Sequence, residues 1–144
     1  MIQQDTIQLL RECDAGVKMG TASIEGVLNH VSAEGLYQKL NHCRKEHNGL
    51  QKEIQEALGR FGDKGKAPNP IASAMSKMKC AVKLGLQNTD ETVADLMTDG
   101  CNMGVKSLNK YLNRYEAADE DSKDIAKRLI NLEQELTLSI RQYL

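Results

Sequence analysis

Tryptophan is absent from this chain of 144 residues, phenylalanine occurs once, and aromatics make up only 3% of it. That shortage removes the stacking platforms on which single-strand nucleic-acid binders lay their bases. Charge of one sign is lacking too: 19 Lys and Arg against 20 Asp and Glu leave a net charge of −1, so no basic footprint for nucleic acid runs across the chain. No uninterrupted apolar run reaches the roughly 20 residues that a membrane-spanning helix needs, and the first residues do not pair basic charge with an apolar stretch as a secretory signal does. The four cysteines, Cys13, Cys43, Cys80 and Cys101, form no C-x-x-C pair, and read as reduced thiols of a cytoplasmic protein. A phosphate-binding glycine loop, a Gly-x-Ser-x-Gly elbow and a histidine-rich metal motif are all missing. The length suits one domain over residues 1–144 with a core of its own.

What is present is helical periodicity and an internal repeat. Residues 16–24 read GVKMGTASI and residues 100–108 read GCNMGVKSL. Apolar positions step by three and four through Leu10, Cys13, Val17, Gly20, Ile24, Val27 and Val31, as one face of a helix does. A second such segment, with Ser32 as its cap, carries Leu36, Leu40, Cys43, His47, Leu50, Ile54, Ala57 and Phe61. A third follows a capping box of Asn88 and Glu91 and runs through Met97, Cys101, Gly104, Leu108, Tyr111 and Tyr115. The fourth opens in DEDSKD, where acids suit a helix N-terminus, and carries Ile125, Leu129, Leu132, Leu136, Ser139 and Tyr143. The repeat falls at the same phase of the first and third segments, which predicts two related helical hairpins, over about 4–61 and 89–144.

Residues 62–88 join the hairpins. Asn69 and Pro70 cap a short amphipathic helix there, whose Ile71, Met75, Met78 and Val82 are expected to lie on the hairpins. Such a connection carries the chain back along the molecule, so the third long helix runs parallel to the second. The fold class is therefore all-α, a four-helix bundle with a long crossover.

The segments LLRECDAG, NPIASAMSKMKCAVKLGL and VADLMTDG, with this order of elements, resemble an uncharacterised bacterial ferritin-like family, a domain of unknown function distantly similar to rubrerythrins. The resemblance covers nearly the whole chain and implies a ferritin-like bundle of the type that often holds two metal ions between carboxylates. The residues depart from that ligand pattern. Val17 and Cys101 follow Gly16 and Gly100 where such relatives carry glutamate, and no Glu-x-x-His occurs. The expected function is that of a non-catalytic structural or interaction protein without a cofactor, forming homo-oligomers or meeting another protein, and engaging neither nucleic acid nor membrane.

The alternative is a substituted transition-metal or redox site. Cys43 and His47 lie one turn apart on one helix face, a spacing that suits a shared ligand, and Cys101 is expected beside them. Gly16, Gly20, Gly100 and Gly104 are expected to permit close helix packing, Gly20 opposite His47, since a helical glycine costs on the order of 1 kcal/mol against alanine. Lys64, Lys66, Lys77, Lys79 and Lys83 gather around the crossover, with Asp63 the only acid near them in sequence. They form a candidate anion or partner patch, though such runs are commonly solvated surface.

Overall fold

The structure, a computed structural model, describes residues 2–144, and among them every regular element is helical. The long helices are α1 (Ile2–Leu28), α2 (Glu34–Gly59), α4 (Asp90–Arg114) and α5 (Glu120–Ile140). The shorter α3 (Pro70–Leu86) lies between the second and third of these, and a 3-10 turn over Arg141–Tyr143 ends the chain. None of the described helices is long and apolar enough to cross a membrane.

Helix starts follow local chemistry. Asn69 accepts hydrogen bonds from the backbone N–H groups of Ile71 and Ala72 at 3.0 and 3.3 Å, ahead of Pro70, which has no N–H to satisfy. Asp119 caps α5 by accepting from the N–H of Ser122 at 2.8 Å. Two expected caps differ. Thr89, not Asn88, caps α4 through the N–H of Thr92. Ser32 does not cap α2; the Asp90 carboxylate of α4 takes the N–H groups of Ser32 and Ala33 at 2.8 and 3.0 Å. The helix starts after Ala33, which has no side chain that could cap it.

These contacts set helix directions. The α1–α2 turn meets the start of α4, where His30 also bonds Asn88. At the other end, Asp5 and Thr6 of α1 accept from the N–H groups of Ala117 and Asp119, just before α5. Helix α4 therefore runs antiparallel to α1 and parallel to α2, as the long connection predicts.

The core divides into two apolar clusters. One holds Leu9, Leu10, Val17, Leu50, Ile54, Leu108 and Leu129 among others. The second holds Ile24, Val27, Leu36, Leu40, Leu84, Met97 and Leu136 among others. On each long helix the buried residues of the two clusters stand six or seven residues apart, close to two turns, and the stretch between them carries Gly20 on α1, His47 on α2, Gly104 on α4 and Glu133 on α5. Phe61, expected inside, is 37% exposed beyond the end of α2. In α5 the buried face passes through Ala126, Ile130, Glu133 and Ile140, and Leu132 lies only half-buried beside it.

Helix α3 reverses the expected packing. Ile71, Met75, Met78, Val82 and Leu86 are 57–81% exposed, and Leu84 is its one buried residue. The face that α3 lays on the other helices is instead the one with Cys80 and Leu84, which pack into the second cluster. On its flank Lys79 pairs with Asp99 at 3.5 Å and Lys83 with Asp95 at 3.0 Å, and the apolar row faces outward.

Candidate functional site

The polar layer between the two clusters is the site with the most chemistry. His47 is 1% exposed. Its Nδ1 lies 2.8 Å from the carbonyl oxygen of Cys43, an atom that only accepts, so Nδ1 carries a proton. Its Nε2 reaches Glu133 Oε1 at 3.2 Å. Burial opposes a charge on the ring, but the contacts with Cys43 and Glu133 outweigh it and raise His47 to about 10. The pair is therefore an imidazolium against a carboxylate, with side chains only 2% and 9% exposed.

Gly20 makes that arrangement sterically feasible. A Cβ there would lie 2.7 Å from His47 Nε2 and 2.9 Å from its Cδ2, closer than non-bonded atoms approach. On the other side, a Cβ at Gly104 would meet Glu133 at 3.5 Å, an ordinary contact. Gly16 sits 3.8 Å from Leu129 by the same measure, whereas Gly100 is exposed and faces open space. The expected packing role of Gly100 is thus absent, because its side of α4 has no helix against it.

Cys43 and Cys101 border the same layer. Cys43 Sγ is 3.5 Å from His47 Nδ1. Burial, with the Glu133 carboxylate and Cys43 adding to it, pushes the Cys101 thiol far above its ordinary range. Cys13, at the next level, is pushed up to about 12 by burial, then by Glu12 and Asp14. Cys101 and Cys13 therefore stay protonated and pack as small apolar groups. Among the described residues, no group of three or more His, Cys, Asp or Glu side chains is disposed to hold a metal ion. Cys43, His47 and Cys101 share one level of the core, yet both His47 nitrogens are already hydrogen-bonded.

The lysine cluster is dispersed by folding. Lys66 pairs with Glu12, and Lys79 and Lys83 pair with Asp99 and Asp95, so acids distant in sequence answer three of the five. Lys64 and Lys77 make no ion pair among the described residues and are exposed. Only Lys77 lines a concavity, a cleft of about 430 Å³ between α1 and α3.

A second buried carboxylate escaped the sequence reading. Asp14 of α1 is fully buried and accepts from Lys18 Nζ at 2.7 Å, Gln55 Nε2 at 2.7 Å and the N–H of Lys66 at 3.0 Å. It fastens the segment after α2 to α1. Gly65, at a φ of +94°, turns the chain over it, a conformation that glycine adopts freely. The only sequence signal was the i, i+4 spacing of Asp14 and Lys18. No family model matches this chain, and no curated protein or solved structure matches it.

Proposed function

We propose that this chain is a non-catalytic helical scaffold of ferritin-like, four-helix design that associates with a second copy of itself through the outward face of α3. One observation carries the reading. Ile71, Met75, Met78 and Val82 repeat at four, three and four residues, the spacing of a seam made to meet another helix, and all of them are exposed. The row widens onto α4. The pairs Lys83–Asp95 and Lys79–Asp99 set an antiparallel register, and one turn further that register brings Met103 level with Met75, both 67–71% exposed.

A second copy suits the face better than an acidic partner. The flanking Lys79 and Lys83 are already neutralised by Asp99 and Asp95 within one chain, so the face asks for no opposite charge. Ala72 and Ala74 beside the row let two helices approach closely. A face of one 17-residue helix, roughly 25 Å long, falls short of the about 800 Å² per partner of a standard interface. The dimer is correspondingly weak.

The polar layer supports a scaffold over a metal site. His47 would have to give up its Nε2 bond to Glu133 to become a ligand, and Cys101 would have to ionise beside a carboxylate. Sedimentation velocity from micromolar to millimolar protein should show a reversible monomer–dimer equilibrium, and Met75→Glu with Val82→Glu should abolish the dimer without lowering helicity. A monomer at every concentration, or a dimer indifferent to these changes, overturns the assembly. Stoichiometric transition metal retained by the wild type and lost in Cys101→Ala overturns the metal-free scaffold.

A further inference from the structure

Between α1 and α3 lies a cleft of about 430 Å³, at the lower end of the roughly 300–1,000 Å³ of small-molecule sites. Along its middle, most of the lining residues are small. Helix α1 contributes Ala22 and Gly26, and α3 contributes Ser76, Ala81 and Gly85. A Cβ added at Gly26 or at Gly85 would meet nothing within 4 Å. Leu84, 5% exposed, forms part of the floor. The outward row of α3 plays no part in it, so the cleft is separate from the proposed dimer face.

Charge sets what such a cleft accepts. Lys77 lines it, no Asp or Glu does, and Lys77 has no ion-pair partner among the described residues. His30 stands at the far end, its Nδ1 bonded to Asn88 Oδ1 at 2.9 Å. That bond brings the end of α3 beside the end of α1, so the two helices run parallel and Lys77 stands toward the Met19 end. From Met19 to His30 the cleft extends roughly 16 Å, at about 1.5 Å per helical residue. It is therefore long, narrow and mostly apolar, with a single cation near one end.

We propose that this cleft binds an amphiphilic monocarboxylate, a medium-chain fatty acid, with its tail along Ala22, Gly26 and Ala81 and its carboxylate at Lys77. The tail covers apolar surface that the small side chains leave open, and the carboxylate answers a lysine that the fold does not neutralise. The cation's position near one end orients the ligand.

Calorimetric titration with decanoate, below its micelle-forming concentration, tests this on the whole chain. Saturable binding at one site per chain is expected. Gly26→Leu should abolish it while keeping or raising the melting temperature, because leucine enters space that is empty and favours a helix more than glycine does. Gly85→Leu, on the facing wall, should do the same. Lys77→Met should weaken decanoate at least tenfold and leave decanol unchanged. Absence of saturable uptake overturns the proposal, as does undiminished binding in both leucine variants. Binding lost in Met75→Glu but kept in Gly26→Leu would place decanoate on the outward row and overturn it as well. Decanol binding as tightly as decanoate would remove Lys77 from recognition and overturn the carboxylate assignment.

Discussion

Gly20 and Gly104 flank the same buried pair, yet a single methyl group would meet different surroundings at each. At Gly20 it would press on the His47 ring at 2.7 Å. The ring is enclosed and hydrogen-bonded on both nitrogens, so it has nowhere cheap to go. Gly20→Ala should cost about 1–3 kcal/mol by overpacking, with the His47–Glu133 bond strained or lost. At Gly104 the methyl meets Glu133 at an ordinary 3.5 Å, so Gly104→Ala should gain most of the roughly 1 kcal/mol of alanine's helix preference. Urea denaturation of the two variants checks the opposite signs, and a loss at both positions would show that the two glycines are equally confined. The repeat in the sequence makes these residues look equivalent. Their difference arises from what α2 and α5 place opposite them, a bulky ring in one case and the end of a carboxylate in the other.

At the scale of elements, the connection between α2 and α3 depends on one buried acid. Asp14→Ala would leave Gln55 Nε2 and the N–H of Lys66 without their acceptor, and Lys18 without its partner. A loss of about 2–4 kcal/mol is expected, together with faster amide exchange at Lys66; exchange unchanged there would mean that the segment is held by other contacts. The helices themselves were legible because their buried faces are rows of leucine, isoleucine and valine, and the parallel course of α4 followed from the length of the connection. Glu133 was not legible, since Leu132 beside it offered an apolar residue that kept the period nearly as well. Nor was the orientation of α3. Periodicity shows that Ile71, Met75, Met78 and Val82 share a face, but the opposite face, with Cys80 and Leu84, is the one that packs into the core. The caps expected at Ser32 and Asn88 each miss by one residue, since α2 starts after Ala33 and α4 after Thr89, whose own side chain caps it.

For the molecule as a whole, the buried ion pair links stability to pH. His47 is held at about 10 in the folded chain, against about 6.5 for a free histidine. A group whose pKa is raised by folding stabilises fully below its unfolded value, and that contribution fades as pH climbs toward the folded one. Stability should therefore decline between about pH 6.5 and 10, by on the order of a few kcal/mol. The groups facing His47 are Cys43 on its own helix, Glu133 on α5 and Cys101 across the layer, with Gly20 of α1 contributing no charge. Melting temperatures taken across that range should fall more steeply for the wild type than for His47→Gln. Parallel curves would mean that the ring is uncharged in the folded chain.

The same layer has a consequence for how the helices find their alignment. Two apolar surfaces made of leucine and isoleucine are nearly as content after a slip of one turn as before it. Sliding α5 along α2 by one turn, about 5.4 Å, would carry Glu133 from His47 to the level of Cys43 or Leu50. The imidazolium would stay in the gap opposite Gly20 without its carboxylate, leaving two charges buried apart from each other, a penalty that apolar contacts elsewhere do not offset. The histidine and glutamate thus act as a vernier inside an otherwise featureless scale, marking the one setting at which the four long helices agree.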